Sequence, residues 1–463
     1  MDDKQYIIAI EVGSSKITGA LAEKSKEGII SFEALEEERI SDIVSHGCIK
    51  NVDEASQRVN LIIEALERRS VLSGRKIKSV FVGIGGKSVR VVRKTVKKEF
   101  DETVTIDEKF LDDLKKEVMN DVKPGYEIFE IVPEYYVDND RCPNPLSVSG
   151  RKVEVKYSLV IGQEQLKANL KRVFNDRLHM TVSGYQVTAL AIADQVLPED
   201  DKQVGCMLVD FGAETTTVSI YKDKSLAYLF TMPIGSRNIT RDIIALKVAE
   251  ESAENAKIAA GSALGADSRQ AQSVDGVNIQ EAQSYIAERS NEIAANIVEN
   301  IAHAGLKSTD LRNIYVVGGG ANLNGFTDLL GKYVNLPIHK GIPSQGVNLI
   351  ESKANNLEYV SIISIVAAAA DFIKPGFSCC EKLPEIEQPH QIGLDFGNAD
   401  DSKEPSEDKG KNDKTKAPEP VTPPAPPVRR ESGKFRKFLN KLSNIFEEDS
   451  VDGDEEEDDI IKK

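Results

Sequence analysis

Through the first 375 residues, short apolar runs of β type alternate with stretches in which apolar residues recur at helical spacing. Residues 6–10, 17–22, 79–84, 206–209, 217–221 and 314–317 read as strands. Residues 53–72 read as a helix because Val59, Ile62, Ile63 and Leu66 fall on one face, and residues 164–178 do likewise through Leu166, Leu170, Val173 and Phe174. A third helical stripe runs through Ile286, Ile293, Ile297 and Ile301. Such stripes are core-facing surfaces and receive no further role. Strands and helices in alternation predict an α/β protein.

Two strand pairs share one plan. Residues 6–22, YIIAIEVGSSKITGALA, and residues 206–222, CMLVDFGAETTTVSIYK, each run from an apolar strand to an acid, any residue, a glycine, a hydroxyl-rich turn and a second strand. Setting Glu11 on Asp210 also sets Gly13 on Gly212, an offset of 199 residues. Repetition at that distance predicts two domains of related design.

A glycine two residues after a strand-ending acid lets backbone approach an anion closely, and successive N–H groups in such a turn form a nest for phosphate. Ser14, Ser15, Thr215 and Thr216 add hydroxyl donors, and Lys16 adds a compact positive charge. Glu11 and Asp210 cannot bind phosphate directly, but they can hold Mg²⁺ through its retained waters, the usual bridge between carboxylates and a nucleotide. One such hairpin alone is most often an ordinary turn; the matching second copy is what points to a divided phosphate site. A third element, YVVGGGANLNGF at 315–326, runs from an apolar strand into Gly318, Gly319 and Gly320, where missing side chains leave room for an adenine or ribose against backbone. Asn324 stands where it would cap the helix carrying Phe326, Leu329 and Leu330. Neither G-x-G-x-x-G nor G-x-x-x-x-G-K-[ST] occurs, which counts against dehydrogenase and P-loop readings.

With 463 residues and 40% hydrophobic content, the chain is too long for one compact domain. Its formal net charge of -16 disfavours a generic grip on nucleic-acid phosphates. The scattered cysteines, Cys48, Cys142, Cys206, Cys379 and Cys380, form no C-x-x-C pair, which argues against a disulfide framework or structural zinc and for a reducing compartment. The opening MDDKQYIIAIEVG lacks the basic start and long apolar core of an export signal. Residues 362–370, the best candidate for a membrane span, have about half the required length. The body therefore reads as soluble and cytoplasmic.

Composition changes after Pro375. Residues 376–463 hold 22 acids, 14 bases and 9 of the 18 prolines, so half of the net charge lies in this tail. Such a stretch cannot bury enough surface to offset chain entropy, and residues 375–432 read as a disordered linker. Beyond it, GKFRKFLNKLSNIF at 433–446 places Phe435, Phe438, Leu439, Leu442, Ile445 and Phe446 at helical spacing, with Lys434, Arg436, Lys437 and Lys441 on or beside the other face. A basic amphipathic helix with aromatic residues on its apolar side reads as an interfacial membrane anchor, the rival being a docking helix for a partner or for the chain's own core. Residues 447–459 then carry ten acids and no base, which reads as a solubility tail or as a brake on membrane attachment.

In this order the three glycine-bearing elements resemble the phosphate 1, phosphate 2 and adenosine motifs of the actin, Hsp70 and sugar kinase superfamily. Within it the chain is more similar to the bacterial cell-division FtsA family, over most of residues 5–374. Residues 44–86 resemble that family's passage from the first hairpin to its inserted subdomain, and MPIGSRNITRDI at 232–243 resembles its turn after phosphate 2. AENAKIAAGSAL at 253–264 resembles its helix bearing Glu254 and Lys257 near the nucleoside, and YVSIISIVAAAADF at 359–372 its second connecting segment.

The resemblance implies an actin-like fold of two related ribonuclease-H-like domains. Subdomain 1A would take residues 1–85 and 163–196, an inserted subdomain 1C residues 86–162, and subdomains 2A and 2B residues 197–374. It implies ATP with Mg²⁺ between Gly13, Ser14, Ser15 and Lys16 on one side and Gly212, Thr215 and Thr216 on the other. Glu11 and Asp210 would serve metal-bound water, and Glu254, Lys257, Gly319 and Gly320 the nucleoside. It further implies polymerisation through 1C and the actin-like body, docking of the FtsZ C-terminal peptide, contact with inner membrane lipids and other divisome proteins, and no nucleic-acid partner. The implied place is the cytoplasmic face of the cell membrane at the division septum, with FtsZ filaments anchored there.

This chain departs from the family pattern at three positions. Glu11 stands for the usual Asp, Gly212-Ala213-Glu214-Thr215 for Gly-Gly-Gly-Thr or similar, and Thr217 for an acid. Glu214 puts negative charge close to a phosphate turn unless it points away. Phosphoryl transfer needs metal and donors held to fine tolerance, so the expectation is nucleotide binding with at most slow hydrolysis. Two rivals share the superfamily: a small-molecule, sugar-type kinase and a PilM-like pilus assembly ATPase. The first leaves the terminal helix unexplained, and relatives of the second generally lack the linker and helix. An Hsp70-like chaperone is disfavoured because no β-rich substrate domain follows the core.

Overall fold

The computed structural model describes residues 4–120, 122–265, 272–343, 347–348 and 357–383. The expected amphipathic helix at 433–446, the acidic tail and the linker from residue 384 onward lie outside the described residues.

The first half is built on the hairpin of Gln5–Val12 with Lys16–Lys24. Ile30–Arg39 extends it antiparallel on one side, while Ser79–Ile84 and then Thr181–Val187 extend it in parallel on the other. The second half repeats this arrangement. Cys206–Phe211 pairs with Thr216–Lys222, Ser225–Met232 adds antiparallel, and Asn313–Val317 followed by Ile338–Lys340 adds in parallel. The hairpin repeat is thus the visible part of a duplicated five-stranded layer. Its register is duplicated too, with Glu11 opposite Thr18 and Asp210 opposite Thr217.

Helices cover these sheets with the apolar faces that the periodicity marks. Val52–Glu67, capped by Asn51 accepting from the Glu54 N–H, buries Val59, Ile62, Ile63 and Leu66. It stops five residues short of the expected end, and a single 3₁₀ turn, Ser70–Leu72, follows. Ile279–His303 buries Ile286, Ile293, Ile297 and Ile301. Val360–Phe372 contains the apolar run at 362–370 and is an interior helix packed on Thr188–Val196 and on Gln5–Val12. Among the described residues no helix is long and apolar enough to cross a membrane.

Between Ser79–Ile84 and Thr181–Val187, the chain makes an antiparallel layer of Arg90–Thr105, Tyr126–Val137 and Ser149–Gln163. The helix Glu108–Met119 lays Leu114 and Val118 against Val153, Val155 and Tyr157, giving this layer a core of its own. It joins the second half's sheet where Arg90 pairs with Phe230, and the Ser158 hydroxyl and the Arg93 guanidinium add hydrogen bonds to the Leu226 carbonyl at 3.1 and 3.3 Å.

The folded body runs past Pro375, so the expected linker starting there is too long at its N-terminal end. Cys380–Lys382 pairs antiparallel with Arg75–Ile77, and the Cys379 carbonyl accepts from the N–H groups of Lys78 and Ser79. Cys379 and Cys380 are buried, and Phe377 meets Phe81 edge-on at 6.0 Å. A second correction concerns the helix Phe326–Tyr333. It starts from Gly325, whose φ of 72° suits glycine, whereas the Asn324 carbonyl accepts from the Ala263 N–H at 2.8 Å.

Candidate functional site

The two hairpin turns close identically. The Gly13 N–H donates to the Lys16 carbonyl at 3.0 Å, and the Gly212 N–H to the Thr215 carbonyl at 2.9 Å. A Cβ at either glycine would stand about 3 Å from that same carbonyl, 2.9 Å at Gly13 and 3.0 Å at Gly212, so turn closure itself demands glycine at both places.

Both turns border one cavity of about 100 Å³. Glu11, Gly13 and Ser14 line it from the first half and Asp210, Thr215 and Thr217 from the second, with Gly83, Gly85, Gly86 and Thr188 also on its wall. Loss of water around the carboxyl groups governs their electrostatics. Desolvation, and secondarily the charge of Glu11, push the Asp210 carboxyl up to about 7. Desolvation also raises Glu11, against the opposing pull of the Ser361 hydroxyl, which donates to it at 2.7 Å, and of Lys16. Two desolvated carboxyl groups on one cavity fit a magnesium ion that keeps most of its waters. They do not form a direct protein cage, since no cluster of three or more His, Cys, Asp or Glu side chains suited to a metal occurs among the described residues.

Ser14 and Thr215 sit where the sequence places them, at the cavity. Ser14 is buried, and its hydroxyl accepts from the Gly47 N–H at 3.1 Å. Ser15 is exposed, and its carbonyl accepts from the Ile40 N–H. Thr216 faces inward instead, donating to the Ile234 carbonyl at 2.8 Å. Lys16 is engaged away from the turn: its ammonium lies 3.0 Å from Glu37 and 3.5 Å from Glu358, over the Tyr359 ring at 4.1 Å.

Of the three consecutive glycines, only Gly319 is exposed, with no neighbour closer to a built Cβ than Glu358 at 3.7 Å. Gly320 is a packing glycine, since a Cβ there would lie 2.7 Å from the Phe211 ring. Gly318 has φ of +90°, and a Cβ would meet the Phe211 carbonyl at 2.5 Å. Glu254 and Lys257, one turn apart on Glu250–Ala260, form an ion pair of 2.8 Å. Lys257 also donates to the Thr240 hydroxyl at 2.9 Å and the Ser236 carbonyl at 3.2 Å, tying two helices together. Burial pulls the Lys257 ammonium below its ordinary range against the opposing charge of Glu254. Burial would raise Glu254, but Lys257 and the Thr240 hydroxyl outweigh it and hold it low.

Glu214 points away from the cavity, into a set of residues that the sequence reading missed. His46, Arg237 and Arg241 surround its carboxylate. Desolvation would raise Glu214, but the His46 N–H and the arginines together hold it low.

A family model described as "Cell division protein FtsA" matches residues 207–364. The "Cell division protein FtsA" of Porphyromonas gingivalis is 28% identical over 337 residues, covering 70% of each chain. That of Borreliella burgdorferi is 27% identical over 384 residues, covering 78% of this chain and 90% of the relative. The chain is thus similar to FtsA proteins over 70–78% of its length. Its fold is the actin-like α/β fold, and the solved "PilM-PilN type IV pilus biogenesis complex" superimposes with a TM-score of 0.55 at 14% identity, over 79% of this chain and 98% of that one. The mirrored turns sit at equivalent points of two related layers. Sequence signals for the remaining wall existed in the glycines of VGIGG at 82–86 and in His46-Gly47, but their destination depends on tertiary contacts.

Proposed function

We propose that this chain is an ATP-binding, actin-like cell-division protein that polymerises and anchors FtsZ filaments to the cytoplasmic face of the membrane at the septum. The observation that carries the nucleotide part is the pair of identically closed turns on one cavity, with Glu11 and Asp210 at equivalent register. In this reading the N–H groups and hydroxyls around Gly13, Ser14, Gly212 and Thr215 bind the phosphates. Glu11 and Asp210 hold the waters of Mg²⁺, which supplies charge neutralisation between carboxylates and phosphates. Gly319 with the Glu254–Lys257 pair borders the nucleoside.

Turnover is slow in this reading because Glu11 and Asp210 are the only acids on the cavity wall among the described residues, and both are committed to the metal. Thr188, Thr217 and Thr231 otherwise line that wall with hydroxyls, which are weak bases. The layer at 86–162 is subdomain 1C and contributes to the polymer, while residues 433–446 supply the peripheral membrane anchor and 2B receives the FtsZ C-terminal peptide.

Binding of a fluorescent ATP analogue with Mg²⁺ to the full chain, and liposome flotation of the full chain and of a truncation before Gly433 with and without FtsZ, test this reading. Saturable binding and anchor-dependent flotation are expected. Absence of any affinity for ATP with magnesium overturns the nucleotide part, and flotation indifferent to the truncation overturns the anchor.

A further inference from the structure

Glu214 is where the second turn departs from a glycine-rich pattern, and it is only 3% exposed. A buried carboxylate is costly unless it is paired and hydrogen-bonded. Its partners come from both halves of the molecule. One oxygen accepts the His46 N–H at 2.8 Å, and the other accepts from Arg241 at 2.6 Å and Arg237 at 3.5 Å.

Arg237 makes the connection mutual. Its guanidinium donates to the Ser14 carbonyl in the first turn at 3.2 Å and to the Ile40 carbonyl at 3.4 Å, and it pairs with Glu250 at 3.4 Å. Its own N–H donates to the Ala213 carbonyl of the second turn at 2.7 Å. A single residue thus touches both turns, while the His46-Gly47 backbone donates to Glu214 and to the Ser14 hydroxyl. The cavity between the turns holds about 100 Å³, below the roughly 300–1,000 Å³ of pockets that enclose a whole small-molecule ligand. A phosphate chain gripped from both sides is released as the turns separate, and separation breaks the contacts of Arg237 and Glu214.

We infer that Arg237 is a positioning residue which, with Glu214, clasps the first phosphate turn to the second and thereby sets the rate of nucleotide release. This rests on the proposed binding of ATP between the turns. Glu214 substitutes an internal anion for a glycine, so the clasp holds the closed arrangement by protein contacts alone.

The test uses the full chain. Release of a fluorescent ATP analogue with Mg²⁺ is followed by stopped flow in the wild type, Arg237→Ala, Arg237→Lys, Glu214→Gln and the Ala/Gln double variant. Arg237→Ala speeds release by roughly tenfold or more, as expected when one member of a buried charge pair is removed, and Arg237→Lys restores part of it. The double variant is less than additive because both changes break one shared contact. In parallel, hydrogen exchange of nucleotide-free protein is read over residues 40–47, where Arg237→Ala and Glu214→Gln raise exchange, with the interior helix Val360–Phe372 as the control for folding.

Unchanged release in a variant whose interior helix stays protected overturns the inference, whatever the exchange at 40–47. If the wild type binds no ATP, the nucleotide reading falls and exchange alone decides the clasp: raised at 40–47 it stands as a structural link, unchanged it falls too. Should Arg237→Ala lose protection throughout, the Arg237→Lys and Glu214→Gln proteins carry the same comparisons.

Discussion

Glu11 and Asp210 end the inner strands of the two hairpins at equivalent register, opposite Thr18 and Thr217, and desolvation raises both carboxyl groups. The charge of Glu11 adds to desolvation in disfavouring the charged form of Asp210. Holding either carboxyl charged in the folded chain costs stability.

That cost has a sign and a pH window. Burial pushes the Asp210 carboxyl up to about 7 in the folded chain from an ordinary 3.8, so the folded state binds more protons between those values and stability falls as pH rises across them. The slope from this one group is at most about 1.4 kcal/mol per pH unit. Thermal unfolding without metal should show Asp210→Asn more stable than wild type at pH 8, with the advantage shrinking toward pH 5. Equal unfolding temperatures at pH 8 would remove the assignment.

The closing hydrogen bonds of the turns predict a matched pair of losses. Gly13→Ala and Gly212→Ala each force a methyl to about 3 Å from a carbonyl that must stay in place, with 2.9 Å and 3.0 Å found. Each should cost about 1–3 kcal/mol in urea unfolding. Gly331→Ala is the contrast: it lies in the exposed face of Phe326–Tyr333 with its nearest neighbour at 3.8 Å, and should gain about 0.5–1 kcal/mol from helix propensity.

The duplicated hairpin was legible because the same few residues do the same work twice. An acid at the strand end and a glycine at the closing position are fixed locally, and the 199-residue offset carries through to Thr18 and Thr217 in the register. The destinations of charged side chains were not legible. Glu214 meets partners 23, 27 and 168 residues away, and Lys16 finds Glu37 21 residues on, so only the folded arrangement says which way each points. Three consecutive glycines also do not announce their roles. The Phe211 ring beneath Gly320, and the Phe211 carbonyl beside Gly318, decide that two are for packing and that Gly319 alone faces outward.

That division separates stability from binding at neighbouring positions. Gly320→Ala places a methyl 2.7 Å from the Phe211 ring and should lower stability by about 1–3 kcal/mol. Gly319→Ala meets nothing nearer than 3.7 Å and should leave the unfolding temperature within about a degree, since substitutions without contacts stay within ±0.5 kcal/mol. Its effect should appear instead as weaker binding of ATP analogues. A Gly319→Ala protein that unfolds earlier, yet binds ATP as wild type does, would reverse the two roles.

The end of the folded body offers the most direct separation of composition from packing. The acidic, proline-rich character begins just after Pro375, yet Phe377, Cys379 and Cys380 are held against the first half by a strand pairing, three backbone bonds at Cys379 and an aromatic contact. Fully burying one large apolar side chain stabilises by about 1.5–3 kcal/mol, and removing this segment also leaves the N–H groups of Lys78 and Ser79 without their shared acceptor. A protein ending at Pro375 should therefore be less stable than one ending at Leu383 by about 3 kcal/mol or more, measured by urea unfolding of the two. If their midpoints coincide, residues 376–383 contribute nothing to the fold, and the docked strand is incidental to it.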